Sequence, residues 1–168
     1  MALTKVDVAN AVTGITASAN GGTGHSAMIA FACRINPGSG SDTGVNGTIV
    51  FNNVQVNIGS AYDNSNGRFT APVAGTYSFS FYGLACLTNG QGHSSSTGTV
   101  GHFYKNGSDS AYGRLQVSNV AGYSNIASSI VITLAEDDYI QVHMATNGVL
   151  TSVSNNYNQF SGHLIGVA

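Results

Sequence analysis

The stretch from Gly67 to Gly83, Gly-Arg-Phe-Thr-Ala-Pro-Val-Ala-Gly-Thr-Tyr-Ser-Phe-Ser-Phe-Tyr-Gly, constrains the fold more than any other part of the chain. Its second half alternates strictly, with Tyr77, Phe79 and Phe81 on one face and Ser78 and Ser80 on the other. That period of two is the signature of a half-buried β-strand. Before it, Pro72 lacks an N–H and is barred from a central ladder, and Gly75 permits a sharp turn, so two strands are expected to meet at a corner here.

Composition extends this to the whole chain. Charged residues make up only 7%, against roughly a quarter in ordinary soluble proteins, and Glu occurs once and Lys twice, so the usual surface helix formers are nearly missing. With 22 glycines and abundant Asn, Ser, Thr and Val, an all-β class follows. At 168 residues there is room for one domain plus an arm. A net charge of −2 supplies no field for phosphates, which argues against a nucleic-acid partner. Lys5, Asp7 and Asn10 interrupt the apolar residues of the N-terminus and no later run approaches a membrane span, so neither signal peptide nor anchor is expected. A surface made polar by amides and hydroxyls has little charge repulsion to keep copies apart, which favours self-association. The two cysteines are too few for a disulfide framework and are expected reduced. Cys33 shares parity with Ile29, Phe31 and Ile35, whereas Cys86 shares parity with Ser78, Ser80 and Tyr82.

Residues 1–26 show no sustained period. Leu3, Val6, Val8, Val12 and Ile15 are too sparse to bury one another, so this segment reads as an arm tied down by a neighbouring subunit or a larger partner, the alternative being an arm folded back on its own domain, with the domain spanning 27–168. Strands are expected at 27–35, 48–51, 54–58, 76 to about 87, 99–105, 112–117, 126–134, 139–144 and 159–167. Asn106-Gly107 is a strong hairpin signal, and the strand at 139–144 is expected to pair back across the acidic turn Glu136-Asp137-Asp138. Eight to ten short strands are what a double-sheet jelly roll uses.

An ordered set of landmarks resembles the C1q domain family, related in architecture to tumour-necrosis-factor-like proteins. Ala30-Phe31-Ala32 stands at its opening aromatic strand; Ile49-Val50-Phe51 and Tyr62-Asp63 precede Gly67 and Phe69; Pro72, Gly75, Tyr77 and Phe79 follow. Tyr104-Lys105-Asn106-Gly107 is similar to the family's hairpin, Ala127-Ser128-Ser129-Ile130-Val131 to the next strand, and Phe160-Ser161-Gly162-His163-Leu164-Ile165 to its closing strand. The resemblance implies a C1q/TNF-like jelly-roll sandwich of about ten strands that forms a homotrimer with an aromatic-rich contact along the threefold axis. It nominates Phe31, Phe51, Phe69, Tyr77, Phe79, Phe81 and Phe160 for core and trimer packing. His163 departs from the pattern by replacing the usual aromatic after Phe-Ser-Gly. The opening Met-Ala-Leu-Thr-Lys-Val resembles the starts of small bacteriophage virion proteins, and no collagen-like stalk precedes the domain.

Chemistry-bearing constellations are sparse. His25, His93, His102, His143 and His163 have no metal-ligand spacing and no Cys partner at zinc-site intervals, so neither metal nor other cofactor is expected. Glu136-Asp137-Asp138 offers hard oxygens suited to calcium, against the simpler reading of a solvated turn. No serine sits in Gly-x-Ser-x-Gly, which argues against a hydrolase and for a non-enzyme. Asn46-Gly47-Thr48 and Asn106-Gly107-Ser108 match the glycosylation pattern but are explained by turn chemistry. Tyr112, Tyr123 and Tyr157, amid Asn and Ser, are candidates for stacking on a sugar. The expected function is a capsid decoration (cement) protein on the virion surface, whose partners are itself and the major capsid protein or another virion protein. The alternative is a glycan- or receptor-binding head of a phage tail.

Overall fold

The computed structural model describes residues 28–36, 47–87, 99–117, 124–145, 148–150 and 157–167. The strands in order are β1 (Ala30–Arg34), β2 (Gly47–Thr48), β3 (Asn53–Ile58), β4 (Tyr62–Asp63), β5 (Arg68–Thr70), β6 (Gly75–Leu87), β7 (Thr99–Lys105), β8 (Ser108–Val117), β9 (Ser124–Leu134), β10 (Tyr139–Ala145), β11 (Gly148–Leu150) and β12 (Gln159–Val167). They form two antiparallel six-stranded sheets, packed as a jelly-roll sandwich. The first is built around β6, the strand with the strict alternation. It pairs along one side with β9 and along the other with β12, and its far end meets β11. Beyond β12 lie β1 and then β3. In the second sheet β10 is central, flanked by β7 and β8 on one side and by β5, β4 and β2 on the other.

The corner expected at Pro72 is where the chain leaves β5 in the second sheet and enters β6 in the first. It has a twin. The acidic turn after β9 is not a hairpin: β9 pairs only with β6 among the described strands, and β10 belongs to the opposite sheet. The expected pairing of 139–144 across that turn is therefore wrong. The two sheet-switching segments lie side by side instead. Ala71 N–H donates to Asp138 O at 2.8 Å and Asp137 N–H donates to Ala71 O at 2.9 Å. The run 48–51 also departs from a simple strand. Only Gly47–Thr48 pairs in register with β10; Ile49 continues with one hydrogen bond to Val142 O, and Ile49 and Phe51 turn inward with no exposed surface.

Inward-facing aromatics from both sheets make the core. The Phe31 ring stacks on Tyr62 at 5.0 Å and meets Phe160 edge-on at 4.7 Å; Phe69 and Phe79 meet at 5.1 Å, as do Phe81 and Phe103. These are the offset and T-shaped geometries that ring quadrupoles favour. The polar tips are satisfied locally: Tyr77 Oη donates to Val73 O at 2.7 Å and Tyr62 Oη to Phe51 O at 3.1 Å. Asn106-Gly107 makes the expected tight hairpin between β7 and β8. Both residues have positive φ, 52° and 72°, the conformation that two-residue hairpins require.

Candidate functional site

Because β6 alternates, its serine face must look away from the core, and the register carries that face across the sheet. One row of outward positions reads Ile58, Ala30, His163, Ser78, Val131 from β3 to β9; the next reads Val56, Ala32, Ser161, Ser80, Ser129. Apart from His163, the middle of these rows is small, Ala and Ser, while Ile58, Val56 and Val131 stand at the margins. The result is a groove of about 630 Å³ lined by Met28, Ala30, Ala32, Ser78, Ser161 and His163, among others. Exposed apolar side chains flank it: Met28, which lines it, is 69% exposed, and Val131, beside Ser78 in the outward row, is 66% exposed. Cross-strand hydroxyl contacts tie the sheet together, Ser80 to Ser161 at 3.1 Å within the groove and Thr76 to Thr133 at 3.4 Å beyond it. Toward the C-terminal end of β12 the same alternation puts Ile165 on the outward face, half exposed, next to a register shift between Leu164 and Gly166.

Charge is nearly absent from this sheet. Across β1, β3, β6, β9, β11 and β12 the sequence supplies one formal charge, Arg34, and one histidine, His163. A sheet face with one formal charge and with exposed Met, Val and Ile beside a groove has the low-charge, apolar composition found at the centre of protein–protein contacts.

The aromatics nominated for core and trimer packing lie elsewhere. Phe31, Phe51, Phe69, Tyr77, Phe79, Phe81 and Phe160 are all inside the sandwich, none more than 3% exposed, and pack the core of the single subunit. The outward face instead carries Tyr82, which shares the parity of Ser78 and Ser80, and His163, which stands where the family pattern has an aromatic. Leu3, Val6, Val8, Val12 and Ile15 lie outside the described residues, as do His25, His93 and Tyr123. Tyr112 on β8 and Tyr157 just before β12 are exposed but belong to different sheets.

The acidic turn is committed to structure. Asp138 Oδ2 lies 2.7 Å from Lys105 Nζ and accepts from Ala135 N–H at 2.8 Å, while Oδ1 accepts from Asn106 Nδ2 at 2.6 Å. Asn106 Oδ1 in turn accepts from Tyr139 N–H at 2.8 Å. The turn is thereby clamped to the β7–β8 hairpin, and the Lys105 ammonium, followed by Asn106, holds the Asp138 carboxyl down at about 2. With both oxygens engaged by an ammonium and two N–H donors, Asp138 is poorly placed to ligate calcium. Asp63 is held low likewise by Ser65 and Asn66 within its own turn.

Strand pairing brings together two histidines that are far apart in sequence. His102 on β7 faces His143 on β10, with ring centroids 5.7 Å apart, and Tyr104 stacks on His143 at 4.1 Å. Among the described residues no cluster of three His, Cys, Asp or Glu could hold a metal ion. Cys33 is fully buried and free; burial pushes its thiol up to about 12, where it behaves as a small hydrophobe rather than a nucleophile. The side chain of Cys86 lies outside the described residues.

The C1q domain family model matches residues 30–165, from the first strand almost to the end of the last. The chain belongs to the C1q domain family. Among solved structures, this C1q domain is similar to the globular domain of zebrafish complement 1qA protein, with TM-score 0.60 and 19% identity over 84% of this chain and 99% of that one. It is also similar to Eiger TNF from S. frugiperda, with TM-score 0.58 and 9% identity over 84% of this chain and 95% of that one. At these identities the likeness is one of fold, and it agrees with the two-sheet jelly roll described above.

Proposed function

We propose that this C1q domain is a non-catalytic structural module that associates with further copies of itself through the outer face of the β3-β1-β12-β6-β9 sheet, forming a trimer. We further propose that the trimer decorates the surface of a bacteriophage capsid, where residues 1–26 reach the capsid protein. The observation that carries the reading is the nearly charge-free outer face with its groove of small residues. A face whose one formal charge among the described strands is Arg34, at the end of β1, has little with which to select a charged partner, but it suits a second copy that brings equally apolar surface, because few charges are stranded on contact. The same chain supplies both halves of such a contact: a groove floored by alanine and serine, and protruding Met28 and Val131 of the right size to enter one. The threefold order follows the C1q-like resemblance, and closed rotational symmetry would cover the exposed face of every subunit.

The capsid setting is supported by the Met-Ala-Leu-Thr-Lys-Val opening and by an arm too sparsely apolar to fold on itself. Equilibrium sedimentation of the purified chain, together with protein identification in purified virions, tests both parts. A trimer present on particles is expected. A 17 kDa species at micromolar concentration overturns the assembly; absence from particles overturns the decoration role. Recovery at tail tips together with glycan binding would establish the alternative head, for which exposed Tyr112 and Tyr157 are the stacking candidates.

A further inference from the structure

His163 stands in the middle of the row that crosses the outer face, third of five between Ile58 and Val131, with Ala30 and Ser78 as its immediate neighbours. It is exposed in the single subunit and lines the groove. Any chain that covers this groove takes the imidazole out of water. Among the described residues, the titratable or charged groups on the same face are Arg34 from β1 and Tyr82 from β6; β3, β9 and the rest of β12 contribute none. Arg34 has the sign of an imidazolium and a phenol stays neutral in acid, so among the described residues the face holds no carboxylate to balance a protonated ring.

We infer that His163 makes the self-associating face acid-sensitive, so that copies joined at neutral pH separate as the pH falls through the range in which histidines titrate. This rests on the reading that copies meet through this face. A neutral imidazole is tolerated in a contact made of Ala, Ser and Val, whereas an imidazolium loses its hydration there and gains no counter-charge. In a separated subunit the same cation is hydrated. Dissociation therefore takes up protons: acid weakens the assembly and base strengthens it. For three subunits each binding one proton on release, the logarithm of the dissociation constant should rise by up to roughly three per pH unit of acidification.

The test is equilibrium sedimentation of the full chain at steps from pH 7.5 to pH 5, with far-ultraviolet circular dichroism at each step to follow the fold. His163→Gln and His163→Lys are carried in parallel. The expected result is a wild-type assembly that dissociates toward pH 5 with its β-sheet signal intact. His163→Gln should remain assembled throughout, and His163→Lys, charged at every pH used, should be dissociated even at pH 7.5. If His163→Lys fails to fold, the contrast between wild type and His163→Gln still decides. Wild type that stays assembled at pH 5, or a His163→Gln profile superimposable on wild type, overturns the inference and leaves the assembly reading standing. Loss of β-sheet signal in step with dissociation overturns it too, by assigning the effect to the fold. A monomer at every pH removes both.

Discussion

Gly162 shows how a single position can set the packing on the core face of a sheet. It lies on β12 between β1 and β6, and a methyl placed on it would overlap the Phe79 ring and stand 2.8 Å from Phe31 Cε1. The Gly of the Phe-Ser-Gly landmark is thus a packing requirement: two core rings lie over a backbone with no side chain. Gly162→Ala should cost about 1–3 kcal/mol through overpacking, read as a lower denaturant midpoint with unchanged slope. An unchanged midpoint would mean that the rings can move aside. Asp138 makes a second residue-scale case. Its folded carboxyl is depressed to about 2 by Lys105 and Asn106, so the stability it adds is complete above the ordinary carboxylate range and is lost as the pH falls from about 4 towards 2. The Lys105 ammonium is in partial contact with water, so the pair is worth about 1 kcal/mol at most. Wild type should lose more stability than Asp138→Asn over that acid interval and should exceed it at pH 7. Parallel acid-unfolding curves for the two proteins would remove Asp138 from the account.

At the scale of elements, what the sequence made legible was whatever depends on near neighbours. The alternation of β6, the corner at Pro72 and the Asn106-Gly107 hairpin each follow from adjacent residues, and each is found where expected. The acidic turn misled because a short polar turn between two alternating runs looks the same locally whether the second run pairs back or crosses to the other sheet. The choice is made at a distance, by the hydrogen bonds that Asp137 and Asp138 make with Ala71 and by the long β6–β9 ladder. The stacking of Tyr104 and His102 with His143 was hidden for the same reason, since only the β7–β10 register unites them. The candidate site was half legible. The serine parity of β6 was plain, but the row from Ile58 to Val131 exists only once five strands are set side by side. Val131 belongs to that row and to a strand whose other edge makes no ladder among the described residues, so its side chain can be changed without touching the core. Val131→Lys should leave the subunit's stability within about 0.5 kcal/mol of wild type while shifting the protein to monomer, because a buried unpaired ammonium opposes contact. Unfolding curves paired with light scattering separate the two effects. A Val131→Lys protein as fully assembled as wild type would move the contact away from this margin.

For the whole molecule, the central question is how a module with so little charge would hold to a particle. The family match begins at residue 30, so residues 1–26 stand outside the part that defines the C1q domain, and the aromatic core described above draws only on residues beyond them. Deleting residues 1–26 should therefore leave a folded, self-associating domain but abolish attachment to the particle. Leu3, Val6, Val8, Val12 and Ile15 can each contribute about 1–2 kcal/mol if buried against another chain, and the Thr- and Val-rich backbone suits strand addition at a sheet edge. In the proposed assembly one such arm would bind weakly. Three arms on one trimer would raise the effective concentration of the second and third contacts, so modest single-arm affinity would become durable attachment where the sites on the particle are spaced to match. The comparison that checks this mixes full-length and truncated protein with particles stripped of the native one and measures co-sedimentation. Full-length protein should rebind and the truncated domain should stay in the supernatant with an unaltered circular dichroism spectrum. Rebinding of the truncated domain at full strength would place the contact on the jelly roll itself, and the low-charge face, already needed for self-association, would then have to be replaced by another surface as the link to the capsid.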